Sequence, residues 1–367
     1  MIYLLLAFTI LHVGFYLVLA FGWRKIPALT STSTSAELSV IVPVRNEEAV
    51  IEKLLTCLEY QEYDKGKFEV IVIDDFSEDR TSKIVKELQA KLTINLRLIS
   101  LPDPKESGKK RALTKGVEHA TYDFIITTDA DCQMGPNWLA SYAEAKGKNK
   151  FIAGPVTLKG SGLFSNLQQT EFSGLIGFGA VTINNDNPSM CSGANLGFEK
   201  SAFFEVGGYT NNLNIPSGDD EFLLYSIQKK YAGQVAFLKN KSAIVLTKAH
   251  SKLAGFINQR IRWTSKWKHN KNLKLRLTAI MFFLDYSIFL SSLFYALAGV
   301  IPLEIYLLVF VVRWLANLLF VLPIHRFLGH RKAILSLLLI QIIYPFHVLF
   351  MGVNSIFGRY TWKGRKY

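Results

Sequence analysis

From Ile2 to Trp23 the chain carries no charged side chain. A helix of that length rises about 33 Å, enough to cross a hydrocarbon core of about 30 Å. No other feature constrains the fold so strongly, because a segment of this kind is stable only in lipid or fully buried. Arg24 and Lys25 follow at once. A cleavable signal would open with basic residues and close on a small-residue cleavage site, and neither is present, so the segment reads as a retained anchor. The positive-inside rule then puts whatever follows Arg24 in the cytosol. Three more apolar runs lie at the far end: Leu277 to Ile301, Leu303 to Pro323 and Ile334 to Met351. Pro302 and the basic stretch His325 to Lys332 separate them. The first two are expected to form a hairpin of spans. The third is shorter and holds Pro345, so it crosses or lies in the interface. A full crossing would leave Arg359, Lys363, Arg365 and Lys366 outside, against the positive-inside rule, which favours a re-entrant or interfacial segment and a cytosolic tail. Asp285 and Arg313 fall within the apolar runs, and a helix-to-helix ion pair is the least costly account of them.

The middle of the chain differs. From Leu38 onward short apolar runs alternate with helical patterns, the signature of a mostly parallel sheet with crossover helices. Strands are expected at Leu38 to Val42, Phe68 to Ile73, Leu96 to Ile99 and Phe124 to Thr127. Helices are expected at Glu47 to Tyr60, Ser82 to Leu92 and Lys110 to Ala120. The polar run Thr30 to Ser35 links anchor to domain. Charged residues make up 19% of the chain, below the roughly 25% of soluble domains, and mean hydropathy is +0.20, so disorder is excluded. Lys and Arg number 42 against 29 Asp and Glu, a net +13 that suits an anionic lipid surface or a nucleotide diphosphate. Much of this surplus borders the apolar runs, which argues against nucleic acid as a partner. Three dispersed cysteines, Cys57, Cys132 and Cys191, encode neither a disulfide framework nor a zinc site.

In open sheets of this kind ligands bind beyond the carboxyl ends of the strands, and three polar clusters fall there. Pro43, Val44, Arg45, Asn46 and Glu47 follow the first strand; Asp74, Asp75, Phe76, Ser77, Glu78 and Asp79 follow the second; Thr127 to Cys132 follow the fourth. A turn or helix N-cap would also use Asp75 and Ser77. Asp129 and Asp131, separated by one residue, can reach a hard divalent cation whose remaining positions suit diphosphate oxygens. Farther on, Asp219, Asp220 and Glu221 crowd three carboxylates together, as a general base would require or as the acidic first turn of a helix Glu221 to Lys229 would.

The runs SVIVPVRNEE, VIVIDDFSEDRT, GKKRALTKG, TTDADC, CSGANLGFEKSAFFEVGGY, GDDEF and QRIRW, in that order from Ser39 to Trp263, resemble family 2 glycosyltransferases, whose nucleotide-sugar domain has the GT-A fold. The resemblance implies a donor pocket lined by Pro43, Arg45, Asn46 and Glu47, with Asp74 and Asp75 holding base and ribose. It implies that Lys109 faces phosphate, that Asp129 and Asp131 serve the metal (Mg or Mn) and the sugar diphosphate, and that Asp220 is the catalytic base, with Asp219 as the alternative. Gln259, Arg262 and Trp263 match the Q-x-x-R-W pattern and are implied acceptor and diphosphate residues. His250 reads as structural.

The expected organisation is an anchor over 1–24, a linker over 25–37, the α/β catalytic domain over 38–250, a basic interfacial segment with QRIRW over 251–276, membrane segments over 277–356 and a basic tail over 357–367. The expected activity is inverting, metal-dependent sugar transfer from a nucleotide sugar, a UDP-sugar, to a lipid or lipid-linked acceptor at the cytosolic face of the cell membrane. A processive polysaccharide synthase is the rival within the class, and three C-terminal segments are little material for a polymer channel. A non-catalytic nucleotide-sugar-binding protein is the rival outside it, but such a protein has no need of the base or of QRIRW.

Overall fold

The structure is a computed structural model that describes residues 1–29, 36–104, 107–213, 215, 217–265, 272–330, 334–357, 361–362 and 365–366. The linker Thr30 to Ser35, Lys266, Lys268, His269, Lys271, Arg331, Lys332, Arg359 and Lys363 therefore lie outside the described residues. The chain divides into two units: Ile26–Lys159 with Phe178–Lys248, and Met1–Lys25 with Gly160–Gly177 and Ala249–Tyr367. Residues 160–177, inside the stretch expected to be catalytic domain, thus group with the apolar helices.

The α/β unit has strands β1 (Leu38–Val44), β2 (Phe68–Asp74), β3 (Asn95–Ser100), β4 (Phe124–Thr127), β5 (Gln133–Met134), β6 (Phe151–Ala153), β7 (Val156–Lys159), β8 (Leu196–Glu199), β9 (Val235–Phe237) and β10 (Val245–Lys248). Among the described residues the larger sheet runs β3-β2-β1-β4-β8-β6-β9 and the smaller β5-β10-β7. The β3, β2, β1 and β4 ladder is parallel, and β8 is antiparallel to both β4 and β6. Every residue of β2 is buried, as expected of a strand covered on both faces; its near-continuous apolar run encodes that. Pro43 sits inside β1, yet β4 pairs only Leu38 to Ile41, so the residue without an N–H falls where one ladder has ended.

Helices α2 (Ile51–Glu59), α3 (Thr81–Gln89), α4 (Lys109–His119), α5 (Trp138–Lys146), α7 (Lys200–Glu205) and α8 (Asp219–Lys230) complete this unit, together with the end of α6 (Leu163–Asn184). The first of these starts four residues later than its hydrophobic pattern predicts. The N–H groups of Asn46, Glu47 and Glu48 donate to Ser77 Oγ at 3.0 Å, Thr81 Oγ1 at 2.8 Å and Asp79 Oδ2 at 3.1 Å, so those residues are held in the β2–α3 loop's network instead of opening a helix. Gly116 lets α4 lie directly on β1: a Cβ there would come within 2.4 Å of Ile41 Cγ2.

In the other unit, four helices among the described residues are long and apolar enough to cross a membrane: α1 (Ile2–Lys25), α10 (Leu273–Leu297), α11 (Leu303–Phe327) and the stretch Leu335–Ser355 of α12 (Ile334–Phe357). Many of their large apolar side chains stay exposed, Tyr3, Ile10 and Leu297 among them, as lipid contact requires. These helices mark the chain as a membrane protein. The last apolar segment is longer than its sequence suggests. It runs through Pro345 as one helix, although a proline in that position removes one backbone bond. Asp285 and Arg313 do pair across α10 and α11, at 2.8 and 2.6 Å, and His12 Nδ1 lies 2.9 Å from the same carboxylate.

Candidate active site

The first two polar clusters are laced into one loop system at the ends of β1 and β2. Asn46 and Phe76 both adopt positive φ, 54° and 57°, and a bulky residue in that region marks a backbone held by its surroundings. Asn46 Oδ1 accepts from Glu78 N at 2.8 Å. Asp74 and Asp75, both buried, divide the work. Asp74 accepts from Ser77 N at 3.1 Å and Ser82 Oγ at 2.5 Å, so the turn role expected for Asp75 falls to Asp74. Asp75 Oδ1 accepts from Ser107 Oγ at 2.6 Å and from Gly108 N at 3.0 Å, and Arg45 Nη1 donates to Asp75 O at 3.1 Å and to Ser107 Oγ at 3.0 Å. Arg45, Asp75 and the start of α4 are therefore one hydrogen-bonded cluster.

The same helix start brings the remaining motifs together. Lys109 Nζ sits 2.7 Å from Asp129 Oδ1 and 3.3 Å from Asp219 Oδ2, which joins the first residue of α4, the exit of β4 and the first residue of α8. Burial alone would lower the Lys109 pKa, but the Asp129 and Asp219 carboxylates outweigh it and hold the amine firmly charged. Asp220 Oδ2 accepts from Gly193 N at 3.1 Å. Asp131 accepts from Thr247 Oγ1 at 3.0 Å. Its carboxyl, open to solvent on one side but crowded by protein on the other, is pushed up first by burial and then by the adjacent Asp129 charge. Two neighbouring carboxylates of this kind are the hard oxygen donors that a divalent cation takes. Among the described residues no three His, Cys, Asp or Glu side chains form a metal cage, so an ion here would complete its shell from diphosphate and water.

Three residues of this architecture escaped the sequence reading. Lys110, buried, donates to Asn212 O at 2.6 Å and Ile215 O at 2.9 Å and so tethers the loop that leads into Asp219 and Asp220. Gly193 leaves little room for a side chain: a Cβ would stand 3.0 Å from Asp219 Oδ2 and 3.3 Å from Lys109 Nζ, so the two charged ends would have to give by a few tenths of an ångström. Asn195 is fully buried, accepting from Trp138 Nε1 and Tyr142 OH at 2.9 Å and donating to Pro155 O and Ala243 O at 2.8 and 2.9 Å. The CSGAN motif that contains Gly193 and Asn195 was the available signal. Gln259, Arg262 and Trp263 lie half-buried on α9 (Leu253–Ser265) of the membrane unit. His250 is held through its backbone, N to Gln168 Oε1 at 3.0 Å and O to Gln168 Nε2 at 2.9 Å.

A sheet with this strand order and its polar groups gathered at the strand ends defines a GT-A type nucleotide-sugar domain. The structure of mannosyltransferase PcManGT from Pyrobaculum calidifontis, solved with GDP-Man and Mn2+, has the same fold: TM-score 0.58, 18% identity, 96% of this chain and 95% of that one. Residues 39–207 match the family described as Glycosyl transferase family 2. Curated relatives include a probable glycosyltransferase of Sulfolobus acidocaldarius, 36% identical over 38% of this chain and 30% of its own length. Another is the beta-monoglucosyldiacylglycerol synthase of Trichormus variabilis, 37% identical over 28% of this chain and 22% of its own length. The matched segments thus span less than a third of either relative.

Proposed function

We propose that the protein is an inverting, metal-dependent glycosyltransferase that moves a hexose from a nucleotide sugar, a UDP-sugar, to a lipid or lipid-linked acceptor at the cytosolic face of the cell membrane. The observation that carries this reading is the ion cluster in which Lys109 joins Asp129 to Asp219, with Asp220 and Asp131 beside it. Asp220 takes the proton from the acceptor hydroxyl as that oxygen bonds to the anomeric carbon, and the opposite carbon–oxygen bond breaks with its electron pair leaving on the diphosphate, so configuration inverts. Arg45, Asn46, Glu47, Pro43, Asp74 and Asp75 form the nucleotide end of the site, and Lys109 meets phosphate. Asp129 and Asp131 would hold a Mg or Mn ion, which offsets the diphosphate's charge when bound. Gln259, Arg262 and Trp263 serve the acceptor and diphosphate side, a role that rests on the sequence pattern. Four helices long and apolar enough to cross a membrane, among the described residues, and the name of the Trichormus relative support a lipid acceptor.

The test is transfer itself. Purified protein in lipid nanodiscs is incubated with each of a panel of labelled nucleotide sugars and an extract of membrane lipids. A labelled glycolipid that disappears with EDTA and with Asp131→Asn is expected, and returns for the unsubstituted protein when Mn or Mg is restored. No lipid product from any donor would overturn the acceptor, and full turnover in EDTA would overturn the metal.

A further inference from the structure

Within the QRIRW run the buried charged residue is Arg260, between the motif positions; Ile261 beside it is buried too. The Arg260 side chain is 4% exposed. A guanidinium loses a large hydration energy on burial and stays inside only when its donors are taken. Here they are. Arg260 Nε donates to Glu171 Oε1 at 2.8 Å and Nη2 to Glu171 Oε2 in a second, parallel bond, the fork geometry that a carboxylate matches and a lysine does not. Glu171, on α6, is 5% exposed, and His347 Nε2 of α12 approaches it to 3.8 Å. The third arm, Nη1, donates to Gln259 Oε1 at 2.6 Å. Two aromatic rings lie against the guanidinium, Phe256 at 4.5 Å and Trp263 at 4.2 Å from its carbon to the ring centres. Phe172 packs against Trp263 with ring centres 6.0 Å apart.

One guanidinium therefore sets the orientation of two motif residues: the Gln259 amide, whose oxygen it holds so that the NH2 end points elsewhere, and the Trp263 ring, which it stacks. Glu171 fixes that guanidinium. We infer that Arg260 and Glu171 are positioning residues for the acceptor motif, a pair that holds Gln259 and Trp263 in the geometry for acceptor binding without touching the substrate. This rests on the reading in which Gln259 and Trp263 meet the acceptor.

Full-length Arg260→Lys, Glu171→Gln, their double variant and Trp263→Ala, each in nanodiscs, are compared for acceptor KM and for hydrolysis of the donor to water. Each single substitution at the pair is expected to raise acceptor KM by about tenfold or more, as small misplacements of binding groups do, with donor hydrolysis within about twofold. The double variant should be no worse than the worse single one, because the two side chains act as a unit. Unchanged acceptor KM in the pair variants alongside a raised value in Trp263→Ala would overturn the positioning role alone. Unchanged KM in all of them would overturn the acceptor reading of the motif and the inference with it. Should Glu171→Gln not fold, Arg260→Lys keeps the charge and carries the test; an equal loss of donor hydrolysis and acceptor use in it would make the pair structural and overturn the inference.

Discussion

At the scale of single residues the candidate site is a set of carboxylates kept apart in role by their partners. Asp219 is paired with Lys109, whereas Asp220 accepts from the backbone N–H of Gly193. A base must exchange a proton with substrate, and we assign that part to Asp220, whose two oxygens accept from the backbone N–H groups of Gly193 and Glu221. Asp220→Asn is expected to leave the donor dissociation constant within about threefold while transfer falls by about 10² to 10⁴, the span a general base contributes. Calorimetry of donor binding and a rate assay decide it, and an equal loss in both would make Asp220 a binding or folding residue. The residue types at this site were legible because carboxylates at strand ends are chemically conspicuous. Lys110 was not, because its partners are carbonyls of Asn212 and Ile215, about a hundred positions away, and a carbonyl has no side-chain signature.

Elements carry the next layer. Glu69, fully buried on β2, accepts from Ser39 Oγ of β1 at 2.7 Å, from Arg97 Nη1 of β3 at 3.1 Å and from Thr121 N at 2.5 Å, so one carboxylate staples three strands. Burial works against its ionisation, but these hydrogen bonds prevail and hold its pKa below the ordinary 4.5. A depressed folded-state pKa means stability that is fully present above the unfolded value and lost as pH falls through the folded one. Glu69→Gln should cost about 1.5 to 3 kcal/mol at pH 7, and its deficit should shrink below about pH 4.5. Thermal unfolding at pH 7 and pH 3 measures it; an identical deficit at both would remove ionisation as the cause. In the membrane unit His12, Asp285, Arg313, Asn317 and Gln341 link α1, α10, α11 and α12 through side-chain contacts of 2.5 to 3.0 Å. Asp285→Leu alone strands the Arg313 charge and should cost about 3 to 5 kcal/mol, while Asp285→Leu with Arg313→Met should recover most of it. Unfolding in detergent tests this, and a double variant as unstable as the single would contradict it.

For the whole molecule the open question is where α12 goes. Its length permits a crossing. Its contacts run both to α6 and α9 and to the apolar helices: Ser336 meets Thr170 at 2.8 Å, His347 approaches Glu171 and Met351 packs on Ile261 of α9, while Gln341 meets Asn317 of α11 at 2.5 Å and Tyr344 packs edge-on against Tyr286 of α10. The basic tail instead favours a helix lying along the cytosolic interface, because one unbroken helix of 24 residues cannot turn back to the face it entered. A cysteine at Gly364, in a background without Cys57, Cys132 and Cys191, should resist an impermeant thiol reagent in intact cells and react after lysis; labelling of intact cells would establish a full crossing. By itself the sequence determined the apolar ends, the parallel ladder from β1 to β4 and the chemistry at the strand exits, because each follows from a local pattern of hydrophobicity or from side-chain type. Only the tertiary structure decided that Lys109 joins Asp129 to Asp219, that Glu47 stays outside α2, that residues 160–177 group with the membrane helices and that Arg260 is the buried cation of its motif. Those outcomes depend on which distant group meets a given donor once the chain is packed, and spacing along a sequence does not carry that.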